Sequence, residues 1–416
     1  MRNLNEIAQS AKLAKREIAK LDTGMKNDAL NKIADMLISN TDEILSANKK
    51  DLDLAKANGM NEGLIDRLTL NAQRIEAIAE GCRQVASLPD PVGELLWQKT
   101  RPNGLKIGLK RVAMGVIGMI YEARPNVTVD AAALCFKAGS ACILRSGKEA
   151  FNSSMCLTKI MRQALSECNI TPNAINIVED TSRESATEMM RLNGYLDVLI
   201  PRGGAGLIQS VVQNATVPVI ETGTGNCHVY VDKDADIQMA VDILVNAKCQ
   251  RISVCNATES LLVHKDIAEK FLPLAYKELE KSNVIIHGCD KTQQILGDSI
   301  IPATEEDYAK EYLNYELSAK VVDSLDSAIE HINRYNTGHS ECIVTDSYSA
   351  SQRFLDLVDA AAVYVNASTR FTDGFEFGFG AEIGISTQKL HARGPMGLEA
   401  LTSQKYVILG NGQVRK

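Results

Sequence analysis

Hydrophobic and polar residues alternate with different periods along the chain. Up to about Arg83, apolar residues recur with helical spacing, which predicts a helical start that ends before the proline-containing connection SLPDPVGEL. In the next segment, TRPNGLKIGLKRVAMG, polar and apolar residues alternate on both sides of Asn103-Gly104, and this dipeptide is a strong turn signal. We therefore predict a β-hairpin after the helical start.

From Gly115 onward, short apolar runs alternate with helical patterns. The predicted strands have the sequences GVIGMIY, ACILR, INIV, LDVLI and VPVIE, and the predicted helices between them have the sequences VTVDAAALCFKAG, SMCLTKIMRQALSEC, SATEMMRLNG and GAGLIQSVVQNA. This order indicates a doubly wound parallel sheet, whose ligands bind at the carboxyl ends of the strands. After Glu221 the alternation restarts, with apolar runs SLLVH, NVIIH, SAKVV, ECIVT and AAVYVN. We predict an α/β protein with two parallel-sheet units.

One cysteine, Cys255, lies in a setting that suits a reactive thiol. A helix predicted from Asp234 onward ends before it, and the apolar strand SLLVH follows it. A connection between two packed elements is a usual place for a catalytic group. An unperturbed thiol has a pKa of about 8.5, so a nucleophile needs surroundings that favour the thiolate, and backbone amides and Arg251 could provide them. A cysteine that only fills core space is the alternative.

Composition limits the classes of function. The chain has 416 residues, of which 45% are hydrophobic and 23% are charged, as in a globular protein with room for two domains. Its ten cysteines include no CxxC pair, so we predict neither a metal site nor a disulfide scaffold. Free cysteines are typical of a reducing compartment, which we therefore expect. The formal net charge of -7 argues against nucleic acid and anionic membranes as partners, and no stretch reaches the ~18 apolar residues of a membrane-spanning helix. We expect a cytoplasmic protein with small-molecule ligands.

Two glycine-containing turns follow strands of the first predicted sheet. Gly203-Gly204-Ala205-Gly206 comes after LDVLIP, and Arg145-Ser146-Gly147-Lys148 comes after ACIL. Such turns let the backbone approach a phosphate at the start of a helix, and Arg145 with Lys148 could contact the ribose 2′-phosphate that distinguishes NADP from NAD. Neither turn has the GxGxxG spacing, so tight turns with solvated charges are the alternative.

Several motifs occur in the order typical of the aldehyde dehydrogenase superfamily. They are ETGTGN from Glu221 to Asn226, the Cys255 segment, a glutamate in KEYLNYEL, VYVNAS and FGFGAEIG, and they extend over nearly the whole chain. Longer segments resemble more closely the branch that reduces an acyl phosphate of glutamate: YEARPNVTVDAAALCFKAGSACILRSGKEA, LIPRGGAGLI, SVCNATESLLVH, HINRYNTGHSECIVT and STRFTDGFEFGFGAEIGIST. The chain is therefore identified as resembling this superfamily.

The resemblance implies roles for individual residues. Cys255 would be the nucleophile, and Glu221 matches the superfamily's general base. NADPH or NADP would be the cofactor, bound by Arg145, Ser146, Lys148, Gly203, Gly204 and Gly206, with Glu311 at the nicotinamide ribose. Candidates for substrate binding are Arg124, Asn126, Arg251, Arg370 and Arg393. Hydrolytic members hold the oxyanion with an asparagine, but here Arg124 stands near that position, so the Cys255 backbone amide would take a larger part.

The resemblance also implies a domain plan and an assembly. Residues 1–97 and 113–222 would form a cofactor-binding domain, residues 223–395 a catalytic domain, and residues 98–112 and 403–416 oligomerisation strands, with the end of the catalytic segment able to return to the first domain. We expect a homo-oligomer, because exposed apolar strand edges otherwise promote aggregation. Glutamate kinase is a candidate partner that would hand over the substrate.

The implied reaction is the NADPH-dependent reduction of L-glutamyl 5-phosphate to L-glutamate 5-semialdehyde and phosphate through a cysteine thioester, a step of proline biosynthesis. An NAD-linked aldehyde dehydrogenase that releases a free acid by hydrolysis is the nearer alternative. A binding protein that keeps the fold without catalysis is the more distant one. The joint presence of Cys255, Glu221 and Glu311 argues against the second alternative.

Overall fold

The chain forms two compact units. The structure is a computed structural model that describes residues 3–60 and 62–415. The first unit extends to Thr222 and includes two later segments, Gly378–Gly384 and the residues from Met396 onward. The second unit consists of Gly223–Phe377 and Ile385–Pro395.

The first unit begins with helices, as the sequence predicts. They are α1 (Leu4–Ile18), α2 (Thr23–Ser39), α3 (Thr41–Ala57), α4 (Glu62–Leu68) and α5 (Ala72–Ser87). Asn3 and Asp22 cap the first two helices, since their side chains accept hydrogen bonds from the backbone N–H of Glu6 and Met25. Across the part of the chain that the structure describes, no helix combines the length and the apolar character that crossing a membrane requires.

A parallel sheet with helices follows in the same unit. Its elements are β3 (Val116–Tyr121), α6 (Pro125–Lys137), β4 (Ala141–Ser146), α7 (Phe151–Glu167), β5 (Ile175–Ile177), α8 (Arg183–Met189), β6 (Val198–Arg202) and α9 (Ala205–Asn214). Within the described ranges the sheet has four strands in the order β5-β4-β3-β6, all parallel. Every residue of β3 is buried, as expected for a parallel strand covered on both faces. The strand order reverses beside β3, which makes the β3–β6 pair a topological switch point.

The predicted fifth strand, VPVIE, is wrong. Among the described residues this segment makes only an isolated bridge, between Val219 and Leu199. The Leu199 N–H donates to the Pro218 carbonyl at 2.8 Å, and the Ile220 N–H donates to the Leu199 carbonyl at 3.0 Å. Pro218 has no N–H to extend this pairing into a strand.

The predicted hairpin is confirmed and belongs to a small antiparallel sheet. It consists of β1 (Leu95–Thr100) and β2 (Lys106–Ala113), joined by a turn in which Gly104 has φ +85°. The C-terminal strand β16 (Thr402–Leu409) pairs with the other side of β2. Both outer strands, β1 and β16, leave one edge unpaired within this sheet as far as the chain is described.

The second unit is also an α/β unit. Its elements are β7 (Cys227–Val231), α10 (Ile237–Cys249), β8 (Thr258–His264), α11 (Lys265–Glu280), β9 (Ile285–Gly288), α12 (Asp290–Leu296), β10 (Ile301–Pro302), β11 (Glu316–Val322), α13 (Leu325–Tyr335), β12 (Ser340–Val344), α14 (Tyr348–Leu357), β13 (Ala362–Val365), β14 (Ile385–Ser386) and β15 (Gly394–Pro395). In the described part of this unit, seven strands form one parallel sheet in the order β10-β9-β11-β8-β7-β12-β13.

Two hydrophobic cores form from alternate residues of the central strands in the second unit. Val229 and Val231 of β7 pack with α10 and α11, whereas Tyr230 packs with residues of α13 and α14. The strand period of two therefore sends neighbouring side chains to opposite faces of the sheet. The sequence pattern missed β7, because ETGTGN and the following residues do not form an isolated apolar run.

Candidate active site

Cys255 lies in a loop between α10 and β8, as the sequence predicts. Asp236 caps α10 by accepting a hydrogen bond from the Met239 N–H, and the helix ends at Cys249. Cys255 and Asn256 occupy a turn, in which the Ala257 N–H donates to the Val254 carbonyl at 3.1 Å. The Cys255 side chain is half-buried rather than enclosed in the core. It is therefore placed on a connection that a substrate could reach.

Most other thiols are held away from solvent. Of the ten cysteines, all within the described ranges, six are buried: Cys82, Cys135, Cys142, Cys156, Cys227 and Cys342. Burial raises the pKa of Cys142 and of Cys342 to about 12, and that of Cys156 to about 11. These thiols stay protonated at neutral pH, and the thiolate is the nucleophilic form.

The backbone of Cys255 is fixed by the end of the ETGTGN motif. A Cβ at Gly225 would overlap the carbonyl oxygen of Cys255, so only glycine allows the two backbones to lie so close. The Cys227 thiol donates to that same carbonyl oxygen, with 3.2 Å between sulfur and oxygen. The carboxylate of Glu311 accepts a hydrogen bond from the Gly225 N–H at 2.7 Å. The structure thus brings three predicted motifs together around Gly225.

Two positively charged residues accompany the Cys255 loop. Arg370 donates to the side-chain oxygens of Asn256 and Gln250, the latter at 3.0 Å. Burial lowers the pKa of Arg370, and the positive charge of Arg251 lowers it further. Arg370 therefore lies near both the Cys255 loop and a second guanidinium. Such a pair of like charges suits an anionic ligand.

The remaining candidate in the second unit, Arg393, has a different environment. Its guanidinium forms a salt bridge with Asp359, with 2.6 Å between nitrogen and oxygen. Lys389 pairs with the same carboxylate. Arg393 is engaged on an exposed surface, which makes it a weaker candidate for substrate binding than Arg370.

In the first unit, both predicted glycine turns lie at carboxyl ends of strands next to β3. Arg145 is the penultimate residue of β4, and its guanidinium donates to the carbonyls of Thr181 and Ser182, each at 2.8 Å. The Ser146 hydroxyl is buried and has no hydrogen-bond partner among residues 3–60 and 62–415. Lys148 is exposed in the turn that follows. Arg145 therefore fixes the local backbone, while Ser146 and Lys148 offer polar groups to a ligand.

A carboxylate that was not predicted from the sequence lies at the switch point. Glu122 follows β3 directly, and one of its oxygens accepts a hydrogen bond from the Gly204 N–H at 3.0 Å, at the start of α9. A Cβ at Gly203 would overlap this carboxylate. The negative charge of Glu122 occupies the helix N-terminus where the prediction placed a cofactor phosphate. Its position directly after the strand GVIGMIY was the available signal.

Three further predicted residues belong to the first unit. Glu221 is half-buried and lies next to Thr222, where the main segment of the first unit ends. Cys255 belongs to the second unit. Arg124 precedes α6, and its carbonyl accepts a hydrogen bond from the Val127 N–H. Asn126 donates its side-chain amide to Asp130 at 3.0 Å within α6, and burial raises the pKa of Asp130 to about 6. Asn126 thus supports a neighbouring carboxyl group of its own helix.

Comparison with known proteins supplies independent information. Residues 2–313 match the profile of the aldehyde dehydrogenase family. The chain is 61% identical over 409 residues to a gamma-glutamyl phosphate reductase from Carboxydothermus hydrogenoformans, covering 98% of each chain. It matches the crystal structure of gamma-glutamyl phosphate reductase from Thermotoga maritima with 49% identity, 100% coverage of both chains and a TM-score of 0.98. An acetylating aldehyde dehydrogenase from Geobacillus thermoglucosidasius, 16% identical over 99% of this chain and 97% of that one, shares the fold with a TM-score of 0.71. The predicted fold class is confirmed.

Proposed function

Because the chain belongs to the aldehyde dehydrogenase family, and within it to the gamma-glutamyl phosphate reductases, we propose that it reduces L-glutamyl 5-phosphate to L-glutamate 5-semialdehyde and phosphate with NADPH. The observation that carries this proposal is the placement of Cys255. It is half-buried on a loop and lies against Gly225, whose N–H also binds Glu311. The reaction is a step of proline biosynthesis.

The proposed chemistry begins at the Cys255 sulfur. Its thiolate attacks the acyl carbon of the substrate, forming a C–S bond, and the C–O bond to phosphate breaks, which releases inorganic phosphate. The resulting thioester is reduced by the hydride that NADPH supplies when bound. The C–S bond then breaks, the semialdehyde leaves, and the sulfur takes up a proton. We assign the oxyanion contact to the Cys255 backbone amide, and the transfer of the thiol proton to Glu221.

The first unit fits a nicotinamide dinucleotide. Its switch point lies at the ends of β3 and β6, where doubly wound sheets bind such ligands. The buried Ser146 hydroxyl, which lacks a hydrogen-bond partner in the described structure, suits a polar group of the cofactor. Gly203, Gly204 and Gly206 border the N-terminus of α9, an anion-binding position that Glu122 fills. We propose that cofactor phosphate replaces this carboxylate, that Lys148 contacts the 2′-phosphate, and that Arg145 orders the turn.

We place two of the proposed substrate contacts in the second unit. Arg251 and Arg370 lie with the Cys255 loop, and we propose that they bind the anionic groups of the glutamyl phosphate. Arg124 is proposed as a further contact to the acyl group. Asn126 and Arg393 are already bound to Asp130 and Asp359, so their predicted substrate roles receive no support from these contacts. Glu311 is proposed to reach the nicotinamide ribose while it holds Gly225.

The reverse reaction tests the proposed function. Purified protein is given L-glutamate 5-semialdehyde and NADP, with and without inorganic phosphate, and NADPH formation is followed by absorbance. We expect turnover only with phosphate, because phosphate must cleave the thioester, and no turnover for Cys255→Ala. Sustained turnover without phosphate would instead identify a hydrolytic aldehyde dehydrogenase. Equal rates for the parent and Cys255→Ala would exclude the thioester.

Location and partners follow from the same proposal. The ten cysteines include no CxxC pair, and on this basis we propose a reducing, cytoplasmic location. The acyl phosphate is labile in water, so direct transfer from a glutamate kinase would protect it. A homo-oligomer is proposed on the basis of the small antiparallel sheet.

A further inference from the structure

A buried salt bridge joins the two ends of the Cys255 loop. Lys248 and Glu259 are both fully buried, and their charged atoms lie 2.6 Å apart. Lys248 is in the last turn of α10, and Glu259 is the second residue of β8. The pair therefore fixes the distance between the two elements from which the loop emerges.

The same carboxylate also binds a third segment. Its second oxygen accepts a hydrogen bond from the Leu313 N–H at 3.2 Å. Leu313 has φ +52°, a left-handed conformation that non-glycine residues adopt rarely, so this contact helps to hold a sparsely populated backbone shape. Leu313 lies two residues after Glu311, whose carboxylate binds the Gly225 N–H. Through Glu259, the helix end, the strand start and the Glu311 segment are connected.

Stability alone is a weak explanation for this pair. Burial lowers the pKa of Lys248 and raises the pKa of Glu259, because taking either charge out of water is unfavourable. Replacing a buried ion pair by apolar side chains of similar volume is often neutral or stabilising. The Lys248–Glu259 pair makes directional contacts that two apolar side chains would lack.

We propose that the Lys248–Glu259 pair is a positioning device that holds the Cys255 loop and the Glu311 segment in one arrangement on the two sides of Gly225. This inference rests on the proposed function, because it takes Cys255 as the nucleophile. Lys248 and Glu259 are positioning residues, since they act through the loop and through Leu313. Loss of the pair displaces the thiol from the surroundings provided by Asn256 and Arg370.

Two double variants separate the two contacts of Glu259. Lys248→Met with Glu259→Leu removes both the salt bridge and the acceptor for Leu313. Lys248→Met with Glu259→Gln removes the salt bridge but keeps an oxygen that can accept from the Leu313 N–H. The measurements are kcat, KM for NADPH, and the rate at which iodoacetamide alkylates Cys255, followed by peptide mass spectrometry. Circular dichroism verifies folding.

We expect roughly 10- to 100-fold losses in kcat and slower Cys255 alkylation for both variants, since small misplacements of a reacting group have effects of this size. The KM for NADPH should rise for the leucine variant and remain near the parental value for the glutamine variant, which still holds the Glu311 segment. The matched control is Lys26→Met with Asp90→Asn, which removes another buried lysine–carboxylate pair, in the first unit. It should leave the alkylation of Cys255 unchanged.

Folded double variants with parental kcat and parental alkylation would overturn the positioning role. Failure of both variants to fold, with a folded control, would also overturn it, because the pair would then serve stability. Cys255→Ala is included in the same assays. If Cys255→Ala remained active, the proposed function would fail, whereas the alkylation rates would still report on the pair.

Discussion

At the scale of single residues, Gly225 fixes the backbone position of Cys255, the proposed nucleophile. Its backbone lies so close to Cys255 that any Cβ would overlap the Cys255 carbonyl. Its N–H donates to the Glu311 carboxylate, so Gly225 contacts both Cys255 and Glu311, two proposed functional residues. The requirement for glycine here is steric rather than conformational, because Gly225 does not adopt a positive φ.

Gly225→Ala should therefore impair catalysis more than folding. We expect kcat of the phosphate-dependent reaction to fall roughly 100-fold, since the Cys255 loop must shift to admit the methyl group. Gly81→Ala is the control, because nothing lies within 4 Å of its added Cβ. Parental kcat for Gly225→Ala would show that the loop tolerates displacement and that the geometry around Cys255 is not critical.

Glu122→Gln should strengthen cofactor binding. The carboxylate of Glu122 occupies the N-terminus of α9, so its negative charge would repel the phosphates of the cofactor proposed to bind there. We expect a several-fold lower Kd for NADPH, measured by the fluorescence of the bound cofactor. Glu76→Gln, an exposed substitution on α5 with the same change of charge, should leave the Kd unaltered. Unchanged or weaker binding by Glu122→Gln would place the cofactor phosphates elsewhere.

Some features of the candidate site could be predicted from the sequence, and others could not. The position of Cys255 between a helix and a strand is a local property, and it was predicted correctly. The contacts of Glu122 with Gly204 and of Glu259 with Leu313 join residues 82 and 54 positions apart. No local pattern reports such pairings, because they arise only when strands and loops are brought side by side by the fold.

At the scale of elements, hydrophobic periodicity identified most helices and strands. It failed at VPVIE, where Pro218 limits pairing to an isolated bridge, and at β7, whose apolar residues follow the glycine-rich motif without a clear break. Both failures concern strands whose existence depends on their neighbours. Domain roles and individual site assignments remain predictions for the experiments described above.

Helix α13 carries a histidine that should make the second unit sensitive to acid. Burial lowers the pKa of His331 to about 3, and the charges of Lys320 and Arg334 and the nearby His228 act in the same direction. The unfolded chain has a histidine pKa of about 6.5, so between these values the unfolded state binds a proton that the folded state does not. Stability is therefore retained above about pH 6.5 and lost progressively as the pH falls.

His331→Phe should weaken this dependence. The ring contacts Tyr308 and Tyr335 edge-on or tilted, so phenylalanine can fill the same space without a titrating group. We expect the urea midpoint of His331→Phe to decrease less than that of the parent between pH 7 and pH 4.5, as followed by circular dichroism. Parallel decreases for the two proteins would show that His331 takes up no proton on unfolding.

At the scale of the whole molecule, the small antiparallel sheet carries exposed apolar side chains, and we expect it to form the subunit interface. One face of the sheet carries apolar cross-strand neighbours. Leu109 of the central strand pairs with Trp97 on one side and Tyr406 on the other. Two residues along the same face, Ile107 pairs with Ile408. Tyr406 is 63% exposed and Ile408 is 58% exposed within the single chain. Exposed apolar side chains on a sheet with two open edges favour pairing with another copy.

Tyr406→Lys combined with Ile408→Lys should therefore weaken the oligomer. Light scattering after size-exclusion chromatography is expected to show an assembly for the parent and a smaller species for the double variant. Tyr348→Lys, at a 79% exposed position on α14 outside this sheet, is the control and should keep the parental mass. A parent that is monomeric at micromolar concentration would contradict the proposed homo-oligomer.

Acylation of Cys255 is the step on which the proposed reaction depends. The direct measurement is to incubate the protein with L-glutamate 5-semialdehyde and NADP in the absence of phosphate, quench with acid, and locate the glutamyl group by peptide mass spectrometry. We expect the group on Cys255, its disappearance on addition of phosphate, and its absence in Cys255→Ala. A glutamyl group on another cysteine, or phosphate-dependent NADPH formation by Cys255→Ala at the parental rate, would contradict the thioester at Cys255.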